Sequence, residues 1–324
     1  MTTRPSVVVT RRLPEAVERE LMRDFEARLN PEDRPLGAEG LVEAMRSADA
    51  VLTTVTDKVT AEVLSAEPRR AKIVANFGVG FNNIDVEAAK ARGVAVSNTP
   101  DVLTDATADL AITLLLMVAR RTGEGERHLR GGHWTGWRPT HMMATHVTGK
   151  TLGLVGMGRI ARAVAKRAHH GFGMKVIYHD PFPPPADVAA ALGAEPRAEL
   201  DAVLREADFV SLHCPATPET RHLMNRERLG LMRPDAFLVN TARGDVVDEA
   251  ALVEALQQKK IAGAGLDVFE REPEVTRALL SMENVVLLPH LGSATTETRV
   301  AMGMRALENL RLFFGGKPLR DRVA

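Results

Sequence analysis

Apolar residues along the chain gather into short β-branched runs, separated by stretches in which they recur every three or four positions. "SVVVT" (6–10), "AVLTTV" (50–55), "AKIVANF" (71–77) and "GVAVSN" (93–98) read as strands, and 14–28, 40–47, 59–66 and 84–92 between them read as helices. This alternation predicts a parallel sheet with crossover helices. A long helix is expected over about 104–130, followed by an irregular stretch rich in Gly, Trp, His and Met over 131–148. A second series begins at "TLGLVGMGRIARAVAKRAHH". Its strands are predicted at 151–155, 174–178, 208–212, 235–240, 261–266 and 285–288, its helices at 158–169, 199–206 and 248–258. A closing helix is expected over about 294–314. The pattern describes an α/β protein with two parallel-sheet lobes, each carrying a Gly-x-Gly loop after an early strand.

The bulk numbers narrow the classes of function. A chain of 324 residues exceeds what one compact core usually holds, so two domains are expected. Lys plus Arg and Asp plus Glu number 42 each, which argues against nucleic acid or an anionic membrane as the main partner. The single cysteine, Cys214, excludes an intrachain disulfide and points to a reducing, cytoplasmic setting. The opening "MTTRPSVVVT" has no signal-peptide core. The most apolar helical stretch, "LAITLLLMVA" (110–119), is too short to span a bilayer and reads as a buried helix. No metal motif is present: there is no HExxH and no cysteine pair.

Context separates the two glycine loops. A dinucleotide site needs a strand, Gly-x-Gly-x-x-Gly/Ala, a helix, and an acid at the end of the next strand. Gly156-Met157-Gly158-Arg159-Ile160-Ala161 meets this, and "MKVIYHD" ends in Asp180, close to the roughly 20-residue spacing expected. Gly156 and Gly158 let the backbone approach a pyrophosphate, and the following helix N-terminus favours anions. Asp180 would accept hydrogen bonds from the adenosine ribose. It would repel a 2′-phosphate, and no Arg or Lys follows within "PFPPP", which favours NAD(H) over NADP(H). The first loop, "NFGVGFNN" (76–83), has no acid in the matching place; its N–H groups around Val79 and Gly80 suit a small carboxylate instead. "ATHVTGKT" (144–151) only imitates a phosphate-binding loop, because position 144 is Ala and a strand rather than a helix follows.

Polar residues cluster where the second lobe's strands end, the edge at which open α/β sheets bind ligands. Arg243 follows strand 235–240, Asp267 ends strand 261–266 with Glu272 five residues on, and His290 follows strand 285–288. Each has a bland reading alone: Arg243 as a surface ion pair, Glu272 as one loop charge among several, His290 as a core imidazole. Three such groups at successive strand ends beside a dinucleotide loop point to catalysis.

These segments are also the ones that resemble a known family. "FGVGFNNID", "GMGRIARAVA", "LVNTARGDVVDEAAL", "AGLDVFEREP" and "LLPHLGSAT" together resemble the D-isomer-specific 2-hydroxyacid dehydrogenases over essentially the whole chain. The resemblance implies two Rossmann-like or flavodoxin-like lobes. The nucleotide lobe, about 100–290, is inserted into a discontinuous substrate lobe, 1–99 plus 291–324. It also implies a homodimer built around the region after residue 100, and a substrate site between lobes that can close. Carried over by position, the catalytic Arg, Glu and His are Arg243, Glu272 and His290. NADH would reduce a small 2-oxo acid to a D-2-hydroxy acid, with His290 as proton donor. Glu272 would orient the imidazole, and Arg243 would hold the carboxylate and keto oxygen together with the N–H groups of Val79 and Gly80. The family pattern further places Arg159 and Ile160 at the pyrophosphate, and His213, Cys214 and Pro215 along the nucleotide cleft. Thr241, Ala242 and Asp267 fall near the nicotinamide, with Thr104 as a further cofactor contact.

The stretch "HWTGWRPTHMMATHVTGKTLGLVGMGRIA" resembles the glyoxylate/hydroxypyruvate reductase branch, in which a tryptophan matching Trp137 reaches the partner subunit's site. Packing of a loop is the other reading of Trp137. Leu52 and Val55 are expected as an apolar wall near the substrate. Alternatives at this stage are D-3-phosphoglycerate or another D-2-hydroxy acid as substrate, and a catalytically silent NAD-sensing protein.

Overall fold

The alternating runs resolve into two parallel sheets in the computed structural model, which describes residues 4–324. One unit joins the residues up to Leu103 with Ala294–Ala324; the other is Thr104–Ser293.

The first unit contains β1 (Ser6–Val9), β2 (Glu26–Arg28), β3 (Ala50–Thr54), β4 (Ile73–Phe77) and β5 (Ala95–Ser97), in the order β2-β1-β3-β4-β5 with every pairing parallel. β1 and β4 are buried along their whole length, as strands covered on both faces must be. The helix Thr296–Phe314 lies on β4 and on the helix Glu15–Asp24. The tail after it returns to β5, where Val96 N–H donates to Ala324 O at 3.1 Å and Val323 N–H to Val96 O at 2.8 Å. Asp321 fixes this return. Its carboxylate takes Arg305 at 2.6 and 2.9 Å and Asn309 Nδ2 at 2.9 Å, all beneath the surface.

The second unit holds β6 (Thr151–Val155), β7 (Lys175–His179), β8 (Ala194–Pro196), β9 (Phe209–Leu212), β10 (Phe237–Asn240), β11 (Gly263–Leu266) and β12 (Val285–Leu287). Their order is β12-β11-β10-β9-β6-β7-β8, again all parallel. Side-chain alternation sends Ile177, Val210 and Leu238 into one core, and Val176, Phe209 and Val239 into the other. The buried helix Thr104–Ala119 closes the second face, with Leu114 and Leu115 inside it. Strand order reverses between β6 and β9, which opens a crevice at the strands' carboxyl ends. No helix among the described residues is long and apolar enough to cross a membrane.

The expected α/β architecture holds, with local departures that include the unexpected short helices Ala186–Ala190, Arg226–Leu229 and Arg277–Leu280. Glu26–Arg28, expected as the tail of a helix, is the edge strand β2. The edge strand β8, Ala-Glu-Pro, was not expected at all. The single helix over 104–130 is two helices, Thr104–Ala119 and Thr122–Arg130. Between them Arg121 takes the left-handed conformation, φ 52°, which no helix continues. Its guanidinium compensates, holding Glu124 at 2.6 and 2.7 Å and the Met143 carbonyl at 3.1 Å.

The contact between the helices of the first unit depends on Gly303, where a Cβ would stand 2.4 Å from Val17 Cγ2. Gly303→Ala should therefore cost about 1–3 kcal/mol through overpacking. The thermal midpoint should fall, and adding Val17→Ala should recover part of the loss.

Candidate active site

The carboxyl ends of β10, β11 and β12 are tied together by backbone and side-chain hydrogen bonds. Asn240, the last residue of β10, is buried and holds the turn beyond it: Nδ2 donates to Arg243 O at 2.9 Å, and Oδ1 accepts from Ala242 N–H at 3.0 Å. Asn240 O accepts the N–H of Asp267 at 3.0 Å, linking this turn to the end of β11. Arg243 follows from that turn with Nη1 on the Ala242 carbonyl at 2.7 Å. Burial lowers its pKa from the ordinary guanidinium value, against the raising influence of Glu272 and Asp245. A cation held in this way suits an anionic partner.

Asp267 aims the next loop. Its carbonyl accepts His290 N–H at 2.9 Å, and its carboxylate accepts Leu291 N–H at 2.6 Å and Gly292 N–H at 2.8 Å. Burial raises the Asp267 pKa, while the two N–H donors and the nearby His290 oppose that rise. His290 sits at φ 55°, a conformation costly for a non-glycine residue and one this loop enforces. Its Nδ1 lies 2.8 Å from Glu272 Oε2, while Glu272 Oε1 accepts Phe269 N–H at 3.1 Å. The pair is one-third exposed on both sides. His290 Nε2 makes no hydrogen bond among the described residues, so the imidazole is a partly exposed group backed by a carboxylate and not a satisfied core residue. Burial pushes the Glu272 pKa up, but the hydrogen bond and charge of His290, with Phe269 N–H and Arg243, bring it below the ordinary glutamate value.

The glycine loop after β6 fits a dinucleotide. Gly156 has φ 89°, and a Cβ there would meet the His213 and Cys214 backbone at 3.0 Å; Gly158 faces open space. The helix Arg159–Phe172 starts at Gly158 with no side-chain cap and no acid in its first turn, which leaves its N-terminal end suited to phosphate. Ile160 is half-buried in that turn and Arg159 is exposed. Asp180, just past β7, accepts Met157 N–H at 2.6 Å and Phe182 N–H at 2.7 Å. On the facing side His213 bonds Ser211 Oγ at 2.9 Å, and burial lowers its pKa to about 4, which keeps it neutral near pH 7. Burial raises the Cys214 thiol to about 11, which disfavours the nucleophilic thiolate at neutral pH. Pro215 is exposed beside it. Thr241 Oγ1, buried without a partner among the described residues, offers an unused hydroxyl, and Ala242 packs against the core beneath. Thr104 opens the helix Thr104–Ala119. Among the described residues no cluster of His, Cys, Asp and Glu is placed to hold a metal ion.

Val79, Gly80 and Leu52 belong to the first unit. Three successive carbonyls of its glycine loop are occupied: Gly78 O by Thr99 N–H at 3.0 Å, Val79 O by Asn98 Nδ2 at 2.8 Å, and Gly80 O by Asn76 Nδ2 at 2.9 Å. In a trans peptide the N–H points opposite the C=O, so the Val79 and Gly80 N–H groups are turned away from these partners. Asn76 and Asn98 were not singled out in the sequence; side-chain amides flanking a Gly-x-Gly loop are the signal that would have marked them. Leu52 is fully buried within β3. Trp137 is 81% exposed on the irregular stretch, with Trp134 exposed nearby in sequence.

A sequence profile for the D-isomer specific 2-hydroxyacid dehydrogenase NAD binding domain matches residues 112–292. A glyoxylate reductase from Thermococcus litoralis is 47% identical over 320 residues, spanning 97% of this chain and 95% of that protein. One from Pyrococcus furiosus is 46% identical over 318 residues, spanning 97% and 94%. Among solved structures, an NADPH-dependent glyoxylate/hydroxypyruvate reductase from Sinorhizobium meliloti, in complex with NADP and malonate, superposes with a TM-score of 0.88. That pair is 38% identical, over 99% of this chain and 97% of the other.

The depressed Glu272 pKa fixes the sign of a pH effect. Its charge stabilises the fold above the unfolded glutamate value of about 4.3, and the benefit is lost as pH falls through the lower folded value. Thermal midpoints of wild type and Glu272→Gln should therefore differ at pH 7 and converge on acidification. A gap that persists at low pH would assign the loss to packing.

Proposed function

The chain belongs to the D-isomer-specific 2-hydroxyacid dehydrogenase family, and on that premise we propose that it reduces small 2-oxo acids, above all glyoxylate and hydroxypyruvate, with NADH. It is an oxidoreductase that uses a nicotinamide dinucleotide. The observation that carries the reading is the 2.8 Å contact of Glu272 with His290 Nδ1, which leaves Nε2 to meet a substrate.

Each residue has a definable task. Gly156, Gly158, Arg159 and Ile160 hold the pyrophosphate, Asp180 the adenosine ribose, and Thr241, Ala242 and Asp267 the nicotinamide end. His213, Cys214, Pro215 and Thr104 line the rest. When bound, the reduced nicotinamide supplies a hydride to the substrate's keto carbon. His290 donates the Nε2 proton to the keto oxygen as charge develops there. Glu272 favours the protonated imidazole and fixes which nitrogen faces the substrate. The Arg243 fork holds the carboxylate and the keto oxygen, and the Val79 and Gly80 N–H groups are suited to a small carboxylate. In the reverse direction the neutral imidazole accepts the proton.

Three finer assignments belong to the same proposal. NADH is preferred because a 2′-phosphate would meet the Asp180 carboxylate, with no Arg or Lys from Pro181 to Pro185 to offset it. The working form is a homodimer, which would give the exposed Trp137 a partner to cover it and a place in the neighbouring site. The sole cysteine, Cys214, agrees with a cytoplasmic setting.

Three measurements test the proposal. Across a panel of 2-oxo acids, followed by nicotinamide absorbance, glyoxylate and hydroxypyruvate should turn over faster than 3-phosphohydroxypyruvate, and NADH should outperform NADPH. No turnover of any small 2-oxo acid would sink the reading. His290→Ala should lower kcat by about 10²–10⁴-fold, the usual worth of a general acid, with little change in NADH affinity. Asp180→Ala should narrow or reverse the preference for NADH.

A further inference from the structure

Glu272 sits on a loop, Asp267–Thr276, that contains no strand or helix of its own, yet its carboxylate must stay within hydrogen-bond reach of His290. Loops of this kind hold a catalytic geometry only if something outside them does the holding. Glu249 is placed to do it. It is the first residue of the helix Glu249–Gln257, only 6% exposed, and the reaction as described makes no use of it. One carboxylate oxygen, Oε1, accepts Glu270 N–H at 2.7 Å. The other, Oε2, accepts the Thr276 hydroxyl. The two anchor points bracket Glu272 from either side in the sequence.

Two further contacts secure the same loop to the same segment. Gly244, immediately after Arg243, presses on the loop's backbone so closely that a Cβ there would come within 1.9 Å of the Phe269 carbonyl carbon. Glu270 Oε1 meets His222 Nε2 at 2.8 Å, and His222 N–H donates to Asp245 O at 2.8 Å. Beyond the Asp267 bonds to Asn240 and the His290 turn, these anchors of the Glu272 loop run to residues 244–249 or to a strap bound to them. A buried carboxylate is costly unless it is hydrogen-bonded, and both Glu249 oxygens are engaged on this one loop.

We propose that Glu249 is a positioning residue: its buried carboxylate clamps the Glu270 amide and the Thr276 hydroxyl, and so holds Glu272 against His290 in register with Arg243. This rests on the roles assigned to Glu272 and His290 above. Glu249 touches neither substrate nor cofactor and acts only through the loop.

The test is the pH dependence of 2-oxo acid reduction in full-length variants. Glu249→Ala should lower kcat by about tenfold or more, the scale expected when a catalytic group moves by an ångström or less. The NADH dissociation constant should stay within about twofold, since the Glu249 carboxylate bonds Glu270 and Thr276, neither of which is assigned to the nucleotide. The alkaline fall of kcat/KM should begin at lower pH, as the Glu272 carboxylate is no longer held beside the proton donor. Thr276→Val should move the same limb in the same direction, and Thr276→Ser, which keeps the hydroxyl, should restore it. In the double variant Glu249→Ala/Glu272→Gln the limb should lie where Glu272→Gln alone puts it. A wild-type pH profile in both Glu249→Ala and Thr276→Val overturns the clamp while leaving the function intact. So does a parallel loss of NADH affinity and kcat, which marks a general structural defect. If Glu272→Gln itself leaves the profile unmoved while the wild type reduces 2-oxo acids, the assigned role of Glu272 falls, and the clamp falls with it.

Discussion

Asp267 is the group on which the catalytic end of the second unit depends. Its N–H is bound to Asn240, its carbonyl to His290 N–H, and its carboxylate to the N–H groups of Leu291 and Gly292. A residue 1% exposed thereby connects the ends of three adjacent parallel strands. Burial works against the charge, and the two backbone donors are what make it tolerable in this position. The consequence is geometric. The His290 loop cannot shift without breaking bonds to β11, and the Arg243 turn cannot shift without releasing Asn240, which is bonded to both.

A parallel sheet is what makes such a hub possible. Because every strand of the second unit runs the same way, every carboxyl end lies on one edge, and residues distant in sequence arrive together there. The flat, two-sided core beneath keeps that edge rigid: alternate side chains of each strand enter separate clusters, and neither face is left to solvent. Precision at the edge is thus inherited from packing below it.

The same logic explains what could be read from the sequence. The β-branched runs gave away the long strands, because strands buried on both faces must be apolar throughout. Glu26–Arg28 and Ala194–Pro196 were hidden because edge strands bury little and tolerate charge and proline. The break at Arg121 was hidden because the nearest glycine, Gly123, lies inside the second helix and not at the turn; at the turn an arginine side chain bonds Glu124 and the distant Met143 carbonyl. Arg243, Glu272 and His290 were legible as residue types at strand ends and through family resemblance. Glu249, His222 and Asn240 were not, since a buried Glu at a helix start or an Asn ending a strand has ordinary local explanations. Their partners lie up to 48 positions away and appear only once the loops are folded.

The first unit is assembled from both ends of the sequence, and this has a consequence for how the protein is made. Its β4 is covered by the helix Thr296–Phe314, and its β5 receives residues 322–324 as a bonded neighbour. A ribosome releases these residues only after all of Thr104–Ser293 has emerged. The inserted unit, whose strands and helices are contiguous in synthesis, can complete its core while the first sheet still waits for its outer layer. During that interval Val17 and its neighbours on the helix Glu15–Asp24 lack the surface that Gly303 will later present. The strands that emerge ahead of Thr104–Ser293 are therefore among the last to be enclosed, and their uncovered apolar face is open to aggregation in that interval.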